Sequence, residues 1–409
     1  MFPIGIKKFQ NCLFGVLVII AMCELTNCQN TMEHKSETKV NLKLVDSIRT
    51  QSAIVSTQLV KVKDKYFAYI GGEGKSLESL EVNTDGQLQP LKSYVLSQKF
   101  GGIRGLISTT INNAPSLIVG NKAEDAIEIH QINEQGVLQK ISEVRNSDST
   151  FLKQNITTHL IEIANQKFLF VGGLDAGLSC FKLSEDATCS HVQSMKDTDD
   201  LFLDGIIGMA SLNIKEKYFL FTGGFVDGGV SCFEVFNDGT FRNTDNIIDN
   251  DTLFLNGAFP VEAVQLSGNN YVLIGHRHKA HYPAYKDEKG LAYHGDGVNV
   301  FKINGEGKFI DVNTFKDNDD LKLKGSTRIE IIKLNEKKAL VFIATRDDTG
   351  IQVCALDSAG QLSPIYKMDL GYSVYNGMTV KNIEDHWYLL AGGYDQKVFN
   401  TYRIDISAD

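Results

Sequence analysis

The chain has little of what marks a nucleic-acid binder, a membrane protein or a motif-bearing hydrolase. Its 41 Lys and Arg are outnumbered by 50 Asp and Glu, a net charge of −9, and no basic run follows residue 8. Nucleic acid and anionic membrane surfaces are therefore excluded as main partners. The apolar run Cys12 to Cys23 has only twelve residues, whereas a helix needs roughly 20 to cross a bilayer, so no membrane span is expected. Proline occurs six times and tryptophan once, and nothing beyond the N-terminus is low in complexity. No Gly-x-Ser-x-Gly elbow or His-Glu-x-x-His occurs, and local sequence suggests no Cys–His nucleophile pair.

What the N-terminus does have is Lys7 and Lys8, then that short apolar run, then small and polar residues. This order predicts a signal peptide over residues 1–28, cleaved between Ala21 and Gln29, and hence a secreted protein. Residues 29–38 read as a flexible lead-in, and everything from 39 to 409 is taken up by one repeat.

That repeat is clearest in Thr222 to Phe241, TGGFVDGGVSCFEVFNDGTF. Phe219-Leu220-Phe221 has strand propensity, Gly223-Gly224 frees the backbone to turn, Val230 to Val235 alternates, and Asn237-Asp238-Gly239 closes a hairpin. Equivalent turn residues at 86, 136, 187, 239, 307 and 360 are 50, 51, 52, 68 and 53 apart. The DLFLDG-like segments at 200–205, 252–257 and 320–325 keep the same spacing, 52 and 68. A period near 50 with several short strands per unit is the signature of a β-propeller of four-stranded blades, and the Gly-punctuated β pattern excludes a helical solenoid.

Seven units can be counted, which predicts an all-β, seven-bladed β-propeller. The expected innermost strands are Ile54–Val62, Leu106–Ile111, Thr157–Ile163, Ile206–Ile214, Val261–Leu266, Ile329–Leu334 and Met378–Ile383. In the fourth unit the outer strand is expected near Thr240–Ile247. The last unit ends at its third strand, Asn400–Ile406, so its fourth is expected from the N-terminal Lys39–Val45, closing the ring and leaving no open sheet edge.

The text Phe168 to Phe181, FLFVGGLDAGLSCF, and Tyr218 to Phe233, YFLFTGGFVDGGVSCF, resembles the seven-bladed lactonase-type propellers. It resembles more closely the GG-x-x-D-x-GVS-x-F arrays of large secreted bacterial proteins. The resemblance spans the ring and implies architecture; no lactonase site motif aligns, so hydrolysis is not carried over with it.

Three features bear on chemistry. The 68-residue spacing is produced by an insertion between Gly275 and Gly297, HRHKAHYPAYKDEKGLAYHGD, holding His276, His278, His281 and His294 with Tyr282, Tyr285 and Tyr293. It leaves the ring at the end where the innermost strands begin, where propellers commonly bind, so these seven residues are the expected ligand or partner contacts. His276, His278 and His281 in His-x-His-x-x-His are candidate ligands for a divalent cation such as Zn or Cu.

The second feature is an acidic residue in each loop from second to third strand: Glu73, Asp125, Asp175, Asp227, Asp296, Asp347 or Asp348, and Asp395. Such a ring can bind a cation or repel anions, or it can simply shape the turns through backbone hydrogen bonds. Third, Cys180, Cys189, Cys232 and Cys354 remain after the leader. A secretory route permits disulfides, Cys180–Cys189 and Cys180–Cys232 being the pairs to weigh against buried thiols. Asn155-Ile-Thr157 and Asn250-Asp-Thr252 are glycosylation sequons usable in a eukaryote.

The expected role is a monomeric binding module that meets a protein, glycan or small molecule through the face of the His/Tyr insertion. The alternative is a lactonase-like hydrolase holding a divalent cation at the channel mouth to polarise a lactone carbonyl.

Overall fold

The computed structural model describes residues 38–99, 101–277 and 295–408. The predicted signal peptide and most of the lead-in lie outside them.

Blade 4 shows how the repeat folds. It comprises β14 (Ile206–Ile214), β15 (Lys217–Gly224), β16 (Gly229–Val235) and β17 (Phe241–Ile248), antiparallel and hydrogen-bonded in that order. β15 is short, β-rich and buried on both faces, with Phe219, Leu220 and Phe221 all at 0 % exposure. That burial lets a near-continuous apolar run serve where alternation would suit a half-exposed strand. Each such side chain contributes about 1.5–3 kcal/mol by leaving water. β17 reads polar because only its first residue, Phe241, is buried among the core residues.

Seven such sheets form, and the remaining innermost strands are β2 (Ile54–Val62), β6 (Ile103–Ile111), β10 (Asn155–Ile163), β18 (Ala258–Leu266), β22 (Ser326–Asn335) and β26 (Val374–Ile383). Each packs against the innermost strand of the next blade, and β26 packs against β2, so the seven blades close a ring. Residues Lys39–Ile406 constitute one compact unit. The seventh sheet has the order β1-β28-β27-β26, where β1 (Thr38–Arg49), β27 (His386–Gly393) and β28 (Val398–Ala408) come from the two ends of the chain. The closure read from the sequence holds, with a longer N-terminal strand than Lys39–Val45. Several innermost strands also begin earlier than the apolar pattern indicates, because a bulge follows their first residues, as between Asn155 and Thr157.

Two glycine positions explain the repeat text. Gly239 has φ +84, and a β-carbon there would lie 2.3 Å from the Phe168 ring of blade 3. The first glycine of each pair meets the following blade: a β-carbon on Gly172 would lie 2.6 Å from Ile206. Tight turns and blade packing thus demand the same residue.

Two expectations are corrected. The four described cysteines are free thiols. Cys180 faces Gln193 across the ladder while Cys189 faces Leu183, so those two cysteines are not cross-strand partners. Cys180, Cys232 and Cys354 are core residues whose thiols burial raises above the ordinary range. Asn155 is fully buried and its amide donates to Ala126 O at 3.2 Å and Leu152 O at 3.1 Å, so its side chain is a structural cap with no room for a glycan. Asn250 is exposed.

Candidate functional site

The end of the channel where the innermost strands begin is built from two positions of the repeat. The first is the second residue of each innermost strand: Val55, Arg104, Ile156, Ile207, Phe259, Thr327 and Tyr375. Five of these, all but Arg104 and Thr327, pack with Phe225 into one apolar cluster although they come from five different blades. The cluster is a plug across the channel. The second position is the residue just after the second strand, at the start of the loop to the third: Glu73, Lys122, Leu174, Phe225, Arg277, Arg346 and Tyr394. The two rings together line a mouth cavity of about 250 Å³, whose charged lining is Arg104, Lys122, Arg346 and Glu73.

Arg104 is 5 % exposed, and its guanidinium pairs with the Glu73 carboxylate and lies 5.0 Å from the Tyr375 ring centroid. Arg346 sits 5.0 Å from the Tyr394 centroid and 5.5 Å from that of Tyr375. The two rings are 5.5 Å apart, and Tyr375 meets Phe259 edge-on at 5.2 Å. A planar guanidinium stacked on an aromatic face is held in one orientation. Burial lowers the Lys122 ammonium below its ordinary range, and the Arg104 charge lowers it further. Among the described residues the lining holds three cations and one carboxylate.

The carboxylates of the neighbouring loops do other work. Asp175, Asp227 and Asp348 accept the backbone N–H groups of Lys153, Asp204 and Lys324 at 3.2, 2.8 and 2.9 Å, and Asp125 accepts that of Gln154 at 2.9 Å. They fasten the segment before an innermost strand, so the expected acidic ring is a set of loop fasteners. Glu73 alone of the seven lines the mouth cavity. A second repeated cap comes from the third strand: Ser179, Ser231, Asn299 and Gln352 accept N–H groups of Phe151, Phe202, Phe254 and Lys322. This accounts for the Ser of the G-V-S text.

His276 ends β19 (Asn269–His276), 1 % exposed, stacked 5.6 Å from Phe254 with Nδ1 3.3 Å from Gly297 O and Nε2 3.8 Å from Asp296. It is a packing residue of the blade and does not face solvent as a contact residue must. His278, His281, Tyr282, Tyr285, Tyr293 and His294 lie outside the described residues. The roots of the insertion are described: Arg277 belongs to the second mouth ring and pairs with Asp347 at 3.5 Å. Among the described residues no three His, Cys, Asp or Glu side chains converge as metal ligands would.

Beyond the plug, a channel cavity of about 430 Å³ is lined by Gln58, Ser108, His159, Glu262, Arg328 and Lys381 among others. Arg328 Nε donates to Glu330 at 2.9 Å and reaches Glu262 at 3.9 Å. Burial raises the Glu262 carboxyl above the usual range, opposed by Arg328 and reinforced by Glu330. Burial lowers His159 to about 4, leaving a neutral imidazole 2.8 Å from the Ser211 hydroxyl.

No family model matches the chain, and no curated protein sequence matches it. The fold is widespread among solved structures, with 804 matching chains. A protein from Lactobacillus plantarum aligns at TM-score 0.58 and 13 % identity over 84 % of this chain and 98 % of that one. Chaetomium thermophilum Raptor aligns at 0.58 and 11 % over 91 % of this chain and 29 % of Raptor. BBS1N, crystallised in complex with ARL6DN, aligns at 0.57 and 13 %, covering 90 % and 98 %. At such identities the likeness defines the architecture, a seven-bladed β-propeller, and nothing finer. Among the described residues no helix is long and apolar enough to cross a membrane.

Proposed function

We propose that this propeller is a secreted interaction module that receives its ligand at the mouth where the innermost strands begin. The observation that carries the reading is the mouth cavity itself, polar and cationic over an apolar floor, at the end where the 68-residue unit roots its insertion. Concave sites with an apolar base and a few placed polar groups are the usual form of ligand sites. Lys7, Lys8 and the short apolar run support export, and export leaves Asn250 as the sequon open to a glycan. A structural neighbour crystallised with a partner protein, BBS1N with ARL6DN, shows one use of the architecture that fits this reading. The hydrolase alternative requires convergent metal donors, and the described mouth instead presents cations that repel a divalent ion.

The test is a screen of the full chain against glycan and metabolite arrays and a panel of lactones, beside a variant with residues 278–294 replaced by a short turn like that at Val226-Asp227-Gly228. Retention of an array component by the native chain and its loss in the variant supports the reading. Turnover of a lactone, or retention unchanged in the variant, contradicts it.

A further inference from the structure

We infer that a recess between blades 1 and 2, at the opposite end of the strands from the mouth, binds a small molecule that presents an apolar ring with one polar tip, as a phenol or an indole does. This goes beyond the mouth reading and does not rest on it. The starting point is how neighbouring blades are joined at that end. Tyr66, the second residue of the second strand of blade 1, is 6 % exposed, and its hydroxyl donates to Glu384 of blade 7 at 2.9 Å. At the same position Lys167 of blade 3 donates to Thr110 O of blade 2 at 2.7 Å. Tyr218 of blade 4 and Trp387 of blade 7, again second residues, pack on apolar clusters shared with the blade before. Blades 5 and 6 join their predecessors by other bonds, Gln265 Nε2 to Asn213 O at 2.7 Å and Ser267 N–H to Glu336 O at 2.6 Å. Blade 2 differs: its second strand, Ala114–Asn121, has Pro115 at this position, a ring too short to cross to blade 1 and without an N–H to offer.

What remains is a recess of about 680 Å³ with Val62, Pro115, Ile132 and Val137 in its apolar wall and Gln131 and Gln139, opposite one another on the ladder, among its polar groups. Val62 and Ile132 are each 3 % exposed, so a ring laid on them leaves water on its apolar face. The occupant follows from what fills the place at other seams: Tyr66 and Trp387 are rings that carry one polar atom, and a buried ring of that kind finds a partner for its tip. At the seam of blades 7 and 1 that partner is Glu384, the first residue of a strand-connecting turn, with φ 51. The equivalent turn residue between blades 1 and 2 is Lys63, with φ 54, paired with Glu134 of blade 2. A hydroxyl placed there meets a donor and an acceptor together. The volume lies within the roughly 300–1,000 Å³ of sites that enclose a whole small ligand, which assigns the recess to a free molecule.

The experiment is isothermal titration of the full chain with 4-methylphenol, indole and toluene, separately, beside the variants P115Y and Q139W. P115Y gives blade 2 the ring that Tyr66 supplies in blade 1, and Q139W fills the recess from its outer wall. The expected result is saturable binding of 4-methylphenol or indole, with toluene, which lacks the polar tip, weaker by about fivefold or more. Both variants should weaken that binding by about tenfold or more. No saturable heat with either 4-methylphenol or indole overturns the inference. So does toluene bound as tightly as the better of the two, or binding unchanged in a folded variant. Should P115Y not fold, Q139W decides alone, since Gln139 is an exposed residue of an outer strand. These probes and residues are not those of the mouth, so failure here leaves the mouth reading as it stands.

Discussion

Arg104 and Tyr375 stand 5.0 Å apart, guanidinium to ring centroid, and they belong to the two blades that flank blade 1. The contact crosses the channel mouth and is held in place by Glu73, itself from blade 1. Replacing Glu73 by Ala should take a carboxylate partner from a buried cation. Because Glu73 is 26 % exposed, the expected loss is about 1–3 kcal/mol, below the roughly 3–5 of a fully buried pair. Urea denaturation measures it, and a midpoint equal to that of the native chain would show that Arg104 does not depend on Glu73.

The turn glycines give a second test. A β-carbon on Gly136, Gly239 or Gly307 would press on Phe67, Phe168 or Phe219 of the preceding blade at 2.3–2.4 Å. Blade 3 has Ala187 at this position, with φ 66. By register, the residue in blade 2 that takes the aromatic's place is Ser116, fully buried. The pair Ala187/Ser116 thus replaces Gly/Phe. Ser116→Phe alone should destabilise by about 1–3 kcal/mol through overpacking, and adding Ala187→Gly should recover much of that loss. A coupling of at least about 1 kcal/mol between the two changes is expected. Strict additivity in denaturation experiments would refute the packing account.

Closure by the N-terminal strand is tested by truncation. A chain beginning at Ser47 loses Val40 and Leu42, both 7 % exposed in the blade 7 core, and Asp46, which accepts Leu88 N–H at 2.8 Å. Two buried aliphatics at about 1.5–3 kcal/mol each, with an unpaired edge along β28, approach the roughly 5–15 kcal/mol that holds a domain together. Aggregation or a fall of many degrees in melting temperature is expected. An unchanged melting temperature would mean that β1 is dispensable.

The channel should make stability depend on pH in two opposing ways. His159 has a folded pKa near 4, below its ordinary 6.5, so the unfolded chain binds more protons in between and stability falls as pH drops through that window. Glu262 has a raised folded pKa, so the folded chain holds the extra proton, and stability falls as pH rises above the ordinary carboxylate value of about 4.5. His159→Asn should therefore remove up to about 3 kcal/mol of acid sensitivity, and Glu262→Gln should flatten the opposing slope. Melting curves from pH 4 to 8 for both variants check this; parallel curves for all three proteins would contradict it.

The architecture was legible because the propeller repeats the same physical demands seven times. A turn glycine against an aromatic and a glycine pair against the next blade recur in the letters themselves. The mouth was not legible, because it resides in what differs between repeats. Arg104, Lys122 and Arg346 look like ordinary scattered charges until each is assigned a register, and the bulge after the first residue of the innermost strands hides that register from a period-two pattern. Counting one residue past each Gly-Gly equivalent would have gathered Glu73, Lys122, Arg277 and Arg346 into one ring. The acidic residues follow the structural alternative read from the sequence: Asp175 and Asp227 recur because each loop needs a backbone acceptor, and their 3.2 and 2.8 Å bonds show which N–H groups they fasten. His276 drew attention by its neighbours in sequence, whereas its ring is spent on Phe254.

The central claim is that ligands meet this protein at the mouth of Arg104, Lys122 and Arg346, away from the far end of the channel. The most direct measurement is the affinity of one array-retained ligand for three proteins: the native chain, Lys122→Met, and Lys381→Met, which alters the cavity beyond the plug. The account expects a tenfold or greater loss in Lys122→Met with Lys381→Met matching the native chain. Affinity lost in Lys381→Met and kept in Lys122→Met would place binding in the channel interior and contradict the account.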